Sequence, residues 1–141
     1  MERYDARIIG NEGKRMNVYA VVLAAVSSFL LGGLWYSPAL FGRAWNRENG
    51  GEVPQGHPAK VFGISFLFSL VAAFAFAWFL GPAPELRKAL LCGVVVGLGM
   101  VAASFGINYQ FAQRSGKLWA IDGGYHTAQF VLFGLILGLW H

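Results

Sequence analysis

From Met16 to Gly42 the chain carries no charged residue, and neither do the stretches Val61 to Leu80, Ala89 to Gln113 and, histidines aside, Gly123 to His141. Those runs constrain the fold more than any other feature of the sequence. A helix rises about 1.5 Å per residue, so ~20 apolar residues cross the hydrocarbon core of a bilayer, and each run approaches or exceeds that length. Charged residues make up 13% of the chain, against about 25% in a soluble domain, too few to cover a water-facing surface. The net charge of +4 is spread over the segments between the runs and forms no patch. The anionic neighbour it suits is the lipid bilayer, and no nucleic-acid partner is expected. Cys92 is the single cysteine and lies inside an apolar run, so no internal disulfide can form.

The breaks between runs define the expected architecture: an all-α integral membrane protein with four transmembrane helices in an antiparallel bundle. The spans are expected at about 18–36, 59–80, 86–112 and 118–140, within a domain covering 17–141 and following a polar N-terminal extension over 1–16. The first run is longer than the roughly 7–15 residues of a signal-peptide core and no small-residue cleavage site follows it, so it reads as a retained span. Ser37-Pro38 reads as a cap followed by a first helical residue, opening a short interfacial helix over about 38–48 with Arg43 and Arg47 on its polar side. Gly81-Pro82-Ala83-Pro84 breaks the chain after the second span, and Arg114-Ser115-Gly116-Lys117 allows only a tight hairpin before the last. Lys and Arg divide almost evenly between the two faces, six against five, so the positive-inside rule sets no orientation. The expected location is the inner (plasma) membrane, crossed several times.

Small residues repeat every four positions on the spans: Ala20, Ala24, Ser28 and Gly32; Ser65, Ser69, Ala73 and Ala77; Gly93 and Gly97; Gly134 and Gly138. Lipid provides little hydrophobic drive between helices, so stripes that let backbones approach are the usual contact surfaces. The stripes outnumber those a minimal bundle needs, which points to a homo-oligomer.

Antiparallel threading brings the ends of spans one and three and the start of span four to one face. Trp35, Tyr36, Ser37, Trp45, Asn108, Tyr109, Asp122, Tyr125 and His126 then share a layer. Asp122 and His126, spaced i, i+4, lie on one helical face. The layer admits two readings: an interfacial aromatic belt whose polar groups tie helix ends together, or a vestibule that binds a small ligand or ion. The candidate binding residues are Trp35, Tyr36, Ser37, Trp45, Asn108, Asp122, Tyr125 and His126. His57 could join Asp122 and His126 as a zinc ligand, but no His or Cys spacing supports a metal, and none is expected. Ser37 and Ser104 lack the context of a nucleophile, so no catalytic residue and no cofactor is assigned.

Asn17, Gly33-Leu34-Trp35-Tyr36-Ser37-Pro38, Phe41-Gly42 and Trp45, together with Gly124-Tyr125-His126, form a further pattern. It resembles a family of small four-span bacterial membrane proteins of unknown function, marked by G-x-x-W-Y-S-P-x-x-F-G-x-x-W after the first span and G-Y-H in the last. The resemblance covers Met16 to His141 and implies a fold and a membrane location but no activity. The expected function is therefore non-enzymatic binding or transport of a small molecule or ion through the polar vestibule. The alternatives are a structural or assembly subunit of a membrane complex and a membrane enzyme acting on lipid or quinone.

Overall fold

The computed structural model describes residues 15–52 and 56–141, so the polar extension expected over 1–16 lies outside it except for Arg15 and Met16. Among the described residues there are five helices and no strand: α1 (Val18–Trp35), α2 (Gly42–Glu48), α3 (Pro58–Leu80), α4 (Leu86–Phe111) and α5 (Gly116–Leu139). α4 is α-helical over Leu86–Val94 and Ala103–Phe111, with a π-helical segment, Val95–Ala102, between.

Most helix ends have a local chemical cause. The Asn17 side-chain oxygen accepts from the Ala20 N–H at 3.2 Å and caps α1, and the Ser115 hydroxyl accepts from the Leu118 N–H at 3.1 Å and caps α5. Pro58 opens α3, where its missing N–H costs nothing. Gly81, at φ 76°, ends α3, and Pro82 and Pro84 prevent the helix from resuming.

The segment after α1 differs from the helix expected over 38–48. Helix begins only at Gly42, and Ser37 does not cap it: its hydroxyl turns back to donate to the Leu34 carbonyl at 2.7 Å. The Leu40 and Gly42 N–H groups both donate to the Ser37 carbonyl, at 3.1 and 2.9 Å, winding residues 36–41 into consecutive turns. The fold back is tight enough that a Cβ on Gly42 would lie 2.2 Å from the Tyr36 carbonyl oxygen. This compact turn places α2 over the end of α5 rather than away from the bundle.

α5 is the central helix. α4 rests almost wholly on it, α1 packs along its other side, and α3 packs chiefly on α1. The helices alternate in direction: Met16 and Asn17, the Leu80–Pro84 turn and Leu137 to His141 meet at one end, while Trp35, Trp45 and Asp122 meet at the other. The small residues sit where helices touch. Ala20, Ala24 and Ser28 of α1 are fully buried, as is Ala73 of α3, with Ser69 and Ala77 nearly so. On the α4–α5 contact a Cβ at Gly93 would lie 2.5 Å from the Phe130 carbonyl oxygen, and one at Gly134 would lie 2.4 Å from that of Ala89. These are backbone-to-backbone approaches that no side chain would permit.

Three helices, α1, α3 and α4, are long and apolar enough to cross a membrane, rather than the four expected. α5 has the length, at 24 residues, but Lys117, Asp122, His126 and Gln129 dilute its apolar character. The reason is positional: α5 is surrounded by the other helices, so Asp122, His126 and Gln129 face protein, while Lys117 is exposed in its first turn.

Candidate functional site

Asp122 lies in the second turn of α5 and is 8% exposed. One carboxylate oxygen accepts from the Tyr36 hydroxyl at 2.8 Å and from the Trp45 indole N–H at 3.1 Å; the other accepts from the Tyr109 hydroxyl at 2.7 Å. Each donor comes from a different element: Tyr36 from the residue after α1, Trp45 from α2, Tyr109 from near the end of α4. No Lys, Arg or His among the described residues forms an ion pair with this carboxylate. A buried carboxylate needs hydrogen bonds or a counter-charge, and here three neutral aromatic donors take that role.

The surrounding aromatics are fixed in turn. The Trp35 indole donates to the Ile121 carbonyl at 3.0 Å, and the Tyr125 hydroxyl donates to the Ser28 carbonyl at 3.1 Å. Tyr36 meets Trp45 and Tyr125 edge-on, with ring centroids 5.9 and 5.4 Å apart, the arrangement aromatic quadrupoles favour.

His126 does not share this site. Its Nδ1 lies 2.9 Å from Gln129 Oε1, and its ring stacks on Phe105 at 5.1 Å between centroids. The Gln129 amide nitrogen donates to the Ser28 hydroxyl at 3.4 Å, which leaves the amide oxygen to accept and places the proton on Nδ1. Ser28 and Ser69 lie 2.8 Å apart, and both hydroxyls reach the Ala25 carbonyl, at 3.0 and 3.3 Å. The polar groups of α5 thus form two systems, a carboxylate cage at the helix end and an imidazole–amide–hydroxyl chain deeper in the bundle. The i, i+4 spacing put the two residues on one face, but each found nearer partners on α1, α2 and α4 or within its own turn.

Of the other candidates, Ser37 is spent on its own turn and Asn108 is exposed, away from the cage. Among the described residues no group of three His, Cys, Asp or Glu stands where it could hold a metal ion, so His57 does not join Asp122 and His126. Tyr109 belongs to the layer but was not among the candidate binding residues, although it makes the shortest bond to Asp122. Gln129, Ser28 and Ser69 were missed as a polar system because the serines read as packing residues. Gln129, the single amide in α5 and three residues after His126, was the available signal.

These features define a class: an all-helical protein with three helices apolar enough for a membrane, and a central, more polar helix whose buried carboxylate is held by aromatic donors. The chain belongs to the family described as Protein of unknown function (DUF1761), whose model matches residues 19–138. This agrees with the resemblance carried by the Trp-Tyr-Ser-Pro and Gly-Tyr-His segments. Comparison with the curated proteins and with the solved structures finds no match.

Proposed function

We propose that this is a multi-pass protein of the inner (plasma) membrane, with α1, α3, α4 and α5 all crossing the bilayer, and that it binds and carries a small cation at Asp122. The observation behind this reading is a carboxylate buried at the end of a central helix with three neutral donors and no cation beside it. An ionisable group at membrane depth is costly to keep and is by default functional. The cage is closely packed, and the cation that enters it with least displacement is the proton. Taking up a proton turns one carboxylate oxygen into a donor, and the bond to Tyr109 can then reverse, its hydroxyl accepting where it had donated, while Tyr36 and Trp45 keep the other oxygen. The apolar outer faces of α3 and α4 meet lipid and, in this reading, further copies of the chain.

The test is flux into vesicles. The purified protein, reconstituted with a pH-sensitive dye inside, should pass protons or small ammonium ions under an imposed potential, and Asp122→Asn should not. No flux from the wild type, together with no shift in melting temperature across ions and amines, would defeat the reading. A structural or assembly role is the second reading, favoured by the complete matching of Asp122 acceptors with donors from three elements. It predicts that Asp122→Asn loses stability where flux was never present. An enzymatic role has no support in the geometry: the Ser37 and Ser104 hydroxyls are bonded to backbone carbonyls, and His126 is held by Gln129.

A further inference from the structure

The groove between α4 and α5 holds two cavities, with the Trp119 indole as their shared wall. The outer one, about 430 Å³, is lined by Tyr109, Gln110, Arg114 and Ser115 where the two helices turn into one another. The inner one, about 450 Å³, runs along Leu98 and Ala102 of the π segment and Gly123, Gly124, Ala128 and Val131 of α5. The inner cavity offers a ligand almost nothing polar. Its Thr127 hydroxyl is spent on the Gly123 carbonyl at 2.8 Å, and the Trp119 N–H on the Ala102 carbonyl at 2.8 Å. The outer cavity carries a charge: Arg114 is exposed and has no ion-pair partner among the described residues. The nearby acid, Glu48, is engaged by Ser115 and Arg47. From Trp119 to Val131 the inner groove covers about 18 Å of α5, close to the ~15 Å depth of one leaflet of hydrocarbon.

We propose that this groove binds one anionic phospholipid, with the headgroup phosphate at Arg114 and an acyl chain lying in the slot from Gly123 to Val131. A cationic mouth continuous with a dry slot one leaflet deep matches a molecule that is anionic at one end and hydrocarbon at the other. The site adjoins the Asp122 cage through Tyr109, which donates to Asp122 and also lines the outer cavity, but the lipid reading rests on Arg114 and the slot and does not require a cation at Asp122.

Native mass spectrometry of the full chain, in detergent with equal amounts of phosphatidylglycerol and phosphatidylcholine of identical acyl chains, tests it. Wild type should carry the anionic lipid in about fivefold excess, the preference one basic residue near a membrane surface supplies. Arg114→Gln should bring the two adducts to parity. Ala128→Leu, which fills the slot, should remove both adducts several-fold. Ala120→Leu fills the same slot from an exposed position and serves as the second variant should Ala128→Leu lower the melting temperature. Parity of the two lipids on the wild type would overturn the proposal, as would undiminished adducts in both leucine variants. Displacement of the adduct by glycerol 1-phosphate, which has the phosphate and no chain, would overturn it as well.

Discussion

Asp122→Ala is expected to lower the melting temperature of the detergent-purified protein more than truncation of any other side chain in the aromatic layer. The substitution strands the Tyr36 hydroxyl and the Trp45 N–H, both part-buried against the same oxygen, and frees Tyr109. A donor left without its acceptor costs about 1–3 kcal/mol. With the Tyr109 hydroxyl able to turn to water, the two stranded donors make the loss roughly 2–6 kcal/mol. Asp122→Asn should fall between, because one amide oxygen accepts while the amide N–H₂ faces donors. The partners identify themselves in double-mutant cycles: Asp122 with Tyr109, and His126 with Gln129, should each be non-additive. Asp122 with His126, which share no hydrogen-bond partner, should add to within about 0.5 kcal/mol. Strong coupling between Asp122 and His126 would mean that the two polar systems are one.

The second large effect concerns the α4–α5 contact. Gly134→Ala should weaken the packing of these helices because the new Cβ would lie 2.4 Å from the Ala89 carbonyl oxygen, and neither backbone can move aside cheaply. Gly93→Ala meets the Phe130 carbonyl at 2.5 Å, and Gly97→Ala meets the Thr127 Cα at 2.6 Å. Overpacking of this kind costs about 1–3 kcal/mol at one site. Since α4 has little other support, the pair Gly93→Ala with Gly134→Ala should abolish a cooperative melt. Gly63→Ala provides the control: nothing lies within 4 Å of its Cβ, and removing a mid-helix glycine should gain about 0.5–1 kcal/mol. A Gly134→Ala protein that melts like Gly63→Ala would show that the close approach is absent in solution.

Much of this was legible before any coordinates. Gly81-Pro82-Ala83-Pro84 stops a helix by covalent geometry, and the small residues at 20, 24, 28, 93, 97 and 134 are contact residues because backbones in an apolar medium pack through them. Antiparallel threading was enough to bring Trp35, Tyr36, Trp45, Tyr109 and Asp122 to one end. Threading gives depth but not azimuth. It could not say that Asn108 faces outward while Tyr109, one residue on, faces Asp122, since neighbours on a helix differ by about 100° and the π segment shifts the phase. Nor could it tell that Ser37 would spend its hydroxyl on Leu34, a local competition between cap and turn that Gly42 decides. The apolarity of α5 is less than its charge-free stretch from Gly123 onward suggests, because Lys117 and Asp122 lie within the same helix and His126 and Gln129 are matched to protein.

The π segment of α4 carries an implication about chain length. The α4 residues whose added atoms would meet α5 most closely, or which most closely meet atoms added there, are Leu86, Ala89, Gly93, Gly97, Ala102 and Gly106, and the steps along them are three or four residues except for the five from Gly97 to Ala102. That long step falls within Val95–Ala102, so the wider winding absorbs one residue more than the contact with α5 requires. Gly99, which faces open space, is the natural surplus. A chain shortened by that single glycine could rewind this stretch as ordinary α-helix, with both halves of the seam still in register against α5. The wider winding lets the helix carry one extra residue without losing its partner, and deletion at this place should be far better tolerated than deletion one turn to either side.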